Sequence, residues 1–381
     1  MQDFSIMQIE MVDLKGQYNK IKTEIDHAVI SSIASTSFIN GPAVKEFQLN
    51  LEQYLGVKHV IPCANGTDSL QIAMMALDLK PGDEVICPAF TYVATAEVIG
   101  LLGLTPVMVD VDPNTFNLTA TAIEKAITSK TKAIVPVHLY GQSCDMEPIM
   151  KLAEKYNLYV IEDNAQAIGA DYTFSDGSVF KTGTIGHIGS TSFFPSKNLG
   201  CYGDGGALMT NDDDLAQKMK MISNHGQEKK YHHKVLGCNS RLDTIQAAIL
   251  NIKLSYLDEY GASRNKMASY YDEAFYTIEE LEVPVRQHNS THVFHQYTLK
   301  VKNGKRNELQ KYLSEKGIPS IIYYPLPLYK QEAFQQFVST DFSLATTEQL
   351  CDEVLSLPIH TEMNVEDMNS ICTCIQSFFK N

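Results

Sequence analysis

The chain has 381 residues, which is enough for a large hydrophobic core and exceeds one average domain. A composition of 44% hydrophobic and 20% charged residues is typical of a globular protein, and the formal net charge of −14 argues against a nucleic-acid-binding protein with a basic face. The longest apolar region, VIGLLGLTPVMV, is too short to span a bilayer, and the acidic N-terminus lacks the apolar stretch of a signal peptide. Among the eight cysteines there is no CxxC pair, so we expect reduced thiols in a cytoplasmic protein without membrane or nucleic-acid partners.

Strand-like and helix-like segments alternate through the first two thirds of the chain. Five short runs rich in apolar and β-branched residues are predicted strands, and each of the first four precedes a segment with apolar residues at helical spacing. The predicted strands are His59–Asn65, Glu84–Phe90, Pro106–Val111, Lys132–Val137 and Leu158–Asp163. This alternation predicts a mostly parallel sheet that is covered by helices on both faces.

After about residue 250 the pattern becomes more mixed. A long helical stretch through Leu254, Leu257 and Tyr260 is followed by an alternating segment, His292–Val301, which we predict to be a strand. A helix that ends at Gly317 and a C-terminal helix complete the chain. We therefore predict a large α/β domain over residues 1–249 and a smaller α+β domain over residues 250–381.

The first predicted strand leads into a glycine turn, Gly66-Thr67-Asp68-Ser69, and then into a predicted helix. Glycine lets the backbone approach a ligand, and the N–H groups of a first helical turn form an anion site. Taken alone, the turn is better explained as an ordinary helix cap with Thr67 or Asp68 as the capping residue.

The fifth predicted strand ends in Asp163, and Gln166 follows it in the run IEDNAQAIGA. In a sheet of this kind, ligands bind beyond the carboxyl ends of the strands. A carboxylate at a buried strand end is costly unless it meets a cation or several hydrogen-bond donors. A helix cap explains Asp163 equally well in isolation.

Lys197 lies in SFFPSKNLGCYGDGGA, between an aromatic strand-like run and a glycine-rich turn. Lysine becomes a nucleophile when partial burial or a neighbouring cation lowers its pKa, and it then forms Schiff bases with carbonyl compounds. By itself such a lysine is more often a solvated surface residue. The loop does not match the GxGxxG or GxxxxGK[ST] fingerprints of nucleotide-binding loops.

Together these residues meet the requirements of one cofactor, pyridoxal 5′-phosphate. This cofactor needs a lysine for its aldehyde, a carboxylate at its ring nitrogen and an anion cradle for its phosphate. Tyr92 follows the second predicted strand and is placed to stack on the cofactor ring, with core packing as its alternative role.

An ordered set of segments resembles the DegT/DnrJ/StrS group of sugar-nucleotide aminotransferases. The segments are FINGPAVKEFQ, CANGTDSLQIA, PAFTYVATAEVI, IEDNAQAIGA, SFFPSKNLGCYGDGGA and GCNSRLDTIQAAIL, and together they cover nearly the whole chain. The resemblance implies the α/β architecture of fold-type I PLP-dependent transferases, with a mostly parallel sheet sandwiched by helices and a smaller C-terminal α+β domain. It also implies transfer of an amino group from glutamate to a keto sugar linked to a nucleotide.

The resemblance assigns roles to the catalytic and ring-binding residues. Lys197 matches the lysine that binds the cofactor aldehyde, and Asp163 matches the acid at the pyridine nitrogen. Gln166 stands beside the ring hydroxyl, and Tyr92 stacks on the ring. Some relatives carry histidine at the lysine position and act as dehydratases, so the lysine found here favours transamination.

The resemblance also assigns a phosphate cradle. Gly66, Thr67 and Ser192 match its residues, and Asn239 matches a residue that reaches the phosphate from the neighbouring subunit. The implied assembly is a homodimer with shared active sites.

The segment His225–Asp243 concentrates basic residues in an otherwise acidic chain. Such a patch offsets the charge of a diphosphate or a carboxylate. We expect Arg241 to bind substrate, because a planar guanidinium suits a carboxylate or phosphate, and we assign His225 to the substrate as well. Lys229 and Lys230 are individually better explained as solvated residues.

Within the group, the motifs look closest to UDP-2-acetamido-2-deoxy-3-oxo-glucuronate 3-aminotransferases of surface-polysaccharide assembly. The segment that often reads HYPxPLH in the family has tyrosine at both histidine positions, Tyr323 and Tyr329. We assign Tyr323 and Tyr324 to the substrate. Tyrosine donates a hydrogen bond but carries no positive charge, so a neutral dTDP- or UDP-linked keto-6-deoxyhexose is the alternative substrate.

Three other interpretations are weaker. A zinc site at His232, His233 and Cys238 lacks a fourth ligand at a usual spacing, so we expect no metal. A nicotinamide-dependent oxidoreductase is suggested only by the parallel sheet and lacks the dinucleotide fingerprint. A catalytically silent regulator with this fold would not need Lys197, Asp163 and Gln166 together.

Overall fold

The computed structural model describes residues 9–380. The α-helices in this range are α1 Leu14–Lys20, α2 Lys22–Ser35, α3 Pro42–Leu55, α4 Gly66–Ala76, α5 Ala94–Leu101, α6 Ala120–Ala126, α7 Met146–Tyr156, α8 Asp213–Ile222, α9 Thr244–Leu254, α10 Leu257–Phe275, α11 Arg306–Glu315, α12 Ala345–Glu353 and α13 Val365–Lys380. The strands are β1 His59–Cys63, β2 Glu84–Pro88, β3 Thr105–Val109, β4 Thr131–Ile134, β5 Tyr159–Asp163, β6 Asp171–Thr173, β7 Val179–Lys181, β8 Ile188–Ser192, β9 Gly206–Thr210, β10 Gln227–Lys229, β11 His232–His233, β12 Leu281–Glu282, β13 Tyr297–Val301 and β14 Val354–Leu357. Short 3₁₀ helices cover Leu139–Gly141, Leu328–Lys330 and Glu332–Phe337.

Seven strands form the central sheet in the order β1-β9-β8-β5-β4-β2-β3. Strands β3, β2, β4, β5 and β8 pair in parallel, whereas β9 pairs antiparallel with both β8 and β1. The predicted mostly parallel sheet is therefore present. Four of the five predicted strands end two or three residues earlier than expected, because the chain leaves the sheet there and enters the loops beyond its carboxyl edge.

Helices cover both faces of this sheet. On one face, apolar residues of α4, α5 and α8 pack against the strands in one buried cluster. On the other face, α6 and α7 contribute to a second cluster, and α3 and α9 form a third with the β1–β9 end of the sheet. Because the strands are covered on both sides, β2, β5, β8 and β9 have runs of four or five buried residues rather than burial at alternate positions.

The C-terminal part contains an antiparallel sheet in the order β12-β13-β14, packed against α10, α11 and α13. The predicted strand His292–Val301 is wrong over its first half, since only Tyr297–Val301 is a strand. Phe294 has a φ of 44°, and its N–H donates to Nδ1 of His292 at 3.0 Å. This local hydrogen bond closes a turn that a hydrophobic alternation does not reveal.

The predicted boundary between residues 249 and 250 falls inside α9, and the predicted long helix is two helices separated at Ser255 and Tyr256. Residues 328–334 of the C-terminal part also join the buried cluster beneath α4 and α5. The division into two domains stays a prediction. Among the described residues, every helix is too short or too polar to cross a membrane.

Candidate active site

Asp163 is the last residue of β5 and lies at the carboxyl edge of the central sheet, where its side chain is buried. Its Oδ2 accepts a hydrogen bond of 2.8 Å from the Thr95 hydroxyl, and its Oδ1 accepts one of 3.2 Å from the Ala165 N–H. The backbone is held by the neighbouring strand segment through Pro136 and His138. The carboxylate is therefore oriented by donors from two elements, as a buried charge requires.

Gln166 follows three residues later and is also buried. Its Oε1 accepts a 2.8 Å hydrogen bond from the Tyr140 N–H, and its Nε2 donates to the Tyr324 hydroxyl at 3.2 Å. Both functions of the amide are thus used, which fixes the side chain in one orientation.

Lys197 lies in the loop between β8 and β9, and the side chain is half-buried. The backbone N–H of Lys197 donates to the Phe194 carbonyl at 2.8 Å. The side chain of the next residue, Asn198, donates to the Val293 carbonyl at 2.9 Å. Burial lowers the pKa of the Lys197 ammonium to about 8, although the nearby Asp163 carboxylate acts in the opposite direction. A desolvated amine of this kind is a better nucleophile than a surface lysine.

The first turn of α4 faces Ser192. Asn65 is the residue that caps this helix, since its side chain accepts from the Asp68 N–H at 2.7 Å. The alternative in which Thr67 or Asp68 caps the helix is therefore wrong, and the Gly66 and Thr67 N–H groups belong to the first turn, where no intrahelical acceptor exists. A Cβ on Gly66 would lie 2.7 Å from Cβ of Ser192, so only glycine allows this close approach.

Tyr92 lies just beyond the carboxyl end of β2 and is 58% exposed, so the core-packing alternative does not describe it. Its ring centroid is 6.4 Å from that of Tyr324, which in turn lies 6.0 Å from Phe90. An aromatic face is thereby exposed beside the buried polar groups.

The residues present fit pyridoxal 5′-phosphate. A buried carboxylate, an oriented amide, a desolvated amine, an exposed aromatic ring and a glycine-lined helix start all lie at the carboxyl edge of one sheet. The side chains of Asp163 and Lys197 lie close enough that the carboxylate acts on the pKa of the amine.

Asn239, Arg241 and His225 lie in the segment between α8 and α9. Asn239 and His225 are exposed, and Arg241 is half-buried in a cleft of about 820 Å³ that also includes His59 and Ser240. The residues that line this cleft do not include Lys197, Asp163 or Gln166. The hydroxyl of Ser240, between Asn239 and Arg241, accepts from the Ala64 N–H at 3.0 Å, beside the turn that begins α4. The assignment of Asn239, Arg241 and His225 to the site stays a prediction.

The basic hairpin that follows α8 is a surface feature. Lys229, Lys230, His232 and His233 are exposed in it, as a solvated loop would be. Within residues 9–380, no group of three or more His, Cys, Asp or Glu side chains is arranged to hold a metal ion.

Sequence patterns did not indicate several residues that support the site. Thr95 orients Asp163, and Tyr140 uses its N–H for Gln166 and its hydroxyl for the Tyr323 carbonyl. Thr95 lies on α5, whose sequence pattern indicates only a helix with an apolar face, and Tyr140 lies in a short 3₁₀ turn.

A second unpredicted feature is the buried pair beneath Asp163. Glu162 accepts from the His138 ring at 2.8 Å and from the N–H groups of Gly183, Ile185 and Gly186. Nδ1 of His138 accepts from the Cys144 N–H at 3.0 Å, so Nε2 carries the proton that is donated to Glu162. The pair connects the strand that carries Asp163 to the loop before β8.

Fold and site together are those of fold-type I transferases. The chain belongs to the DegT/DnrJ/EryC1/StrS aminotransferase family, whose profile matches residues 19–376. This finding confirms the predicted family, fold class and enzyme class, a transaminase, and makes the nicotinamide-dependent interpretation wrong. Aminotransferases of this family use pyridoxal 5′-phosphate, which confirms the predicted cofactor.

Relatives of known name cover almost the whole chain. UDP-2-acetamido-2-deoxy-3-oxo-D-glucuronate aminotransferase of Pseudomonas aeruginosa is 45% identical over 96% of this chain and 99% of its own length. The pleiotropic regulatory protein of Geobacillus stearothermophilus is also 45% identical, over 98% and 100%. The crystal structure of a DegT DnrJ EryC1 StrS aminotransferase from Brucella abortus matches with a TM-score of 0.93 and 39% identity, covering 98% of this chain and 100% of that chain.

Proposed function

We propose that this aminotransferase moves an amino group from glutamate to C3 of UDP-2-acetamido-2-deoxy-3-oxo-glucuronate in the cytoplasm, for surface polysaccharides such as the O-antigen of lipopolysaccharide. The observation that carries the proposal is the buried Asp163 carboxylate at the sheet edge, whose charge acts on the desolvated Lys197 amine. The 45% identity to a relative named for this substrate supports the choice of sugar.

The protein's own residues have distinct tasks in this proposal. Bound pyridoxal 5′-phosphate supplies an electron sink for the carbon that loses its proton. Lys197 holds and moves that proton, and its low pKa of about 8 keeps part of the amine unprotonated near neutral pH. Asp163 maintains the charge on the ring nitrogen, and Gln166 orients the ring hydroxyl.

The phosphate and the ring faces are bound by the remaining site residues. Gly66, Thr67 and Ser192 bind the cofactor phosphate through backbone N–H groups and a hydroxyl. Tyr92 stacks on the ring, which is consistent with its exposure. Tyr323 and Tyr324 border the substrate side.

Arg241 is our candidate for the sugar carboxylate, because it combines partial burial with a planar charged group. The neutral tyrosines at positions 323 and 329, where the family often has histidine, favour the second candidate, a dTDP- or UDP-linked keto-6-deoxyhexose. His225 lies just before the β10–β11 hairpin and completes the proposed substrate side.

The substrate test runs the second half-reaction in reverse. The PLP form of the enzyme receives either UDP-2-acetamido-3-amino-2,3-dideoxyglucuronate or its 6-hydroxymethyl counterpart, and a dTDP-linked 3-amino-6-deoxyhexose is the third probe. Loss of the cofactor's visible absorbance reports amine transfer, and mass spectrometry identifies the keto sugar. We expect the uronate to react fastest and Arg241→Gln to remove most of that preference. Equal rates with the neutral UDP sugar would refute the uronate assignment.

A first half-reaction with glutamate alone separates catalysis from regulation. A silent regulator would bind the cofactor without forming 2-oxoglutarate, whereas we expect one equivalent per site. Lys197→Ala is the control that removes the reaction while the rest of the site remains.

We also propose a homodimer in which Asn239 and Arg241 serve the neighbouring site. The segment that runs from α8 to Asn239 carries Tyr231 and Leu236, which are 80% and 90% exposed. Helix α2 carries two more exposed apolar side chains, Ile30 and Ile33. Large exposed apolar side chains are typical of interaction sites, and a two-fold interface would bury them.

Mixing a Lys197 variant with an Arg241 variant, and assaying the uronate reaction that each variant lacks or performs poorly, tests the shared site. Lys197→Ala and Arg241→Ala, unfolded together and refolded, form mixed dimers in which one of the two sites has both residues intact. Recovery of activity supports the shared site. Absence of recovery, with dimers present by light scattering, contradicts it.

A further inference from the structure

An irregular buried segment, residues 292–295, lies against the loop between β8 and β9. Backbone carbonyls outside helices and strands need hydrogen-bond donors from elsewhere. Helix α10 supplies donors for three of the four carbonyls: Asn265 donates to the first at 2.7 Å, and Arg264 donates to the last two at 3.0 and 3.4 Å. The remaining carbonyl, that of Val293, accepts from the Asn198 side chain at 2.9 Å. Asn198 thus ties this segment to the β8–β9 loop.

Val293 is bonded on its other side as well. Its N–H donates to the Gly141 carbonyl at 2.8 Å, and the N–H of Tyr140, the residue before that glycine, donates to the Gln166 side chain at 2.8 Å. Gly141 has a φ of +112°, and a Cβ there would lie 2.9 Å from the backbone nitrogens of the two residues after Val293. Glycine is therefore required for this close approach. Val293 connects the β8–β9 loop with the loop that orients Gln166.

Asn198 uses only half of its amide group. The residue is 4% exposed, and its Oδ1 is buried without a hydrogen-bond partner among the described residues. A buried acceptor without a donor costs free energy, which an apolar side chain of similar volume would avoid. Packing alone would therefore favour leucine at this position. The bond to the Val293 carbonyl is what the asparagine adds.

We propose that Asn198 is a positioning residue for Lys197, the residue before it in the chain. Its bond to Val293 holds the lysine at a fixed place relative to Gln166. This inference rests on the proposed role of Lys197 in moving a proton. The backbone N–H of Lys197 bonds within its own loop, whereas the Asn198 amide bonds a different part of the chain. Proton transfer requires donor and acceptor within hydrogen-bond reach, so a small displacement of the lysine lowers the rate.

The first test uses the cofactor-free protein and measures how buried the lysine is. Lys197 is acetylated with a small reagent over a range of pH, and peptide mass spectrometry gives the pKa of that one amine. Asn198→Leu keeps the volume of the side chain and removes the donor. Because burial is what lowers this pKa to about 8, a lysine that gains access to water should have a pKa higher by roughly one unit. An unchanged or lowered pKa overturns the inference.

Gln376→Leu is the matched control. The Gln376 amide on α13 donates to the Ala274 carbonyl at 3.0 Å, so it also joins two elements by one side-chain bond, within the C-terminal part. We expect the pKa of Lys197 to be unchanged in this variant, and an equal rise would overturn the inference by pointing to general loosening. If Asn198→Leu does not fold, Asn198→Ala removes the same donor without adding apolar bulk and is interpreted in the same way.

A second measurement separates positioning from cofactor binding. With the cofactor at saturation, we expect the single-turnover rate of the glutamate half-reaction to fall by about tenfold in Asn198→Leu. The Kd for pyridoxal 5′-phosphate should change by less than about threefold. A weaker Kd with an unchanged rate would overturn the inference. If the wild type itself does not react with glutamate, the proposed donor is refuted, and the pKa of Lys197 still decides the inference.

Discussion

The Gln166 side chain donates a hydrogen bond of 3.2 Å to the hydroxyl of Tyr324, across 158 positions of the chain. Tyr324 therefore joins the central sheet to the C-terminal part at the point where the cofactor ring is expected. Burial raises the pKa of this hydroxyl above its usual value, so it remains protonated and can itself donate.

Replacing this hydroxyl should loosen the cofactor. Tyr324→Phe leaves the buried Gln166 amide without its acceptor, which costs about 1–3 kcal/mol, so we expect the Kd for pyridoxal 5′-phosphate to rise by about tenfold. Titration of cofactor-free protein by fluorescence measures it. Tyr323→Phe is the matched control, because Tyr140 bonds the backbone carbonyl of Tyr323 rather than its hydroxyl. Equal effects of the two substitutions would contradict this role of Tyr324.

The carboxylate at the end of β5 should matter for rate more than for binding. Asp163→Ala removes the charge that keeps the ring nitrogen protonated, and we expect kcat to fall by about 10²–10³-fold with a much smaller change in cofactor affinity. Thr95→Val removes one of its two hydrogen-bond donors, and we expect about a tenfold loss of kcat. Steady-state kinetics with glutamate measures both.

A buried threonine on the same stretch provides the control for Thr95. The Thr91 hydroxyl is buried without a hydrogen-bond partner in the described part of the chain, so Thr91→Val should retain wild-type kcat. Near-normal turnover in Asp163→Ala would contradict the assigned role of the acid.

The glycine at the start of α4 should tolerate no side chain. In Gly66→Ala the new Cβ would meet Cβ of Ser192 at 2.7 Å, which forces the proposed phosphate-binding turn away from β8. We expect cofactor affinity to drop by at least about tenfold, measured by equilibrium dialysis. Gly261→Ala, on α10, has open space at its Cβ and should bind the cofactor as wild type does.

The buried amine should make stability depend on pH in the cofactor-free protein. The pKa of Lys197 is about 8 in the folded chain against 10.5 in the unfolded one, so the unfolded chain binds the proton more tightly. The penalty is complete below pH 8 and disappears as the pH rises to 10.5. We expect Lys197→Met to raise the free energy of unfolding by about 1–3 kcal/mol at pH 7, with a smaller gain above pH 9.

Urea unfolding at several pH values measures this dependence. Lys311→Met is the control, because the Lys311 side chain on α11 is 80% exposed and its removal should give no gain of this kind. A gain for Lys197→Met that stayed constant with pH would show that packing, rather than charge burial, causes it.

The site residues differ in how far local sequence revealed them. Asp163 ends a predicted strand, and Gly66 and Tyr92 come one and two residues after the ends of two others. Because the carboxyl ends of parallel strands meet at one edge, the placement of these residues at the carboxyl edge followed from the strand pattern alone. Asn65 was missed as the cap because the predicted first strand extended through it, while in the structure the chain leaves the sheet at Cys63.

The amino-acid sequence by itself determined the class of fold and the chemical groups at the sheet edge. Period and spacing act over a few residues, and a strand–helix alternation has few ways to bury its apolar faces. Only the tertiary structure decided that Thr95 orients Asp163 and that Tyr324 meets Gln166. These pairs are separated by tens to more than a hundred residues, and their contact depends on how whole elements pack, for which no short-range pattern carries a signal.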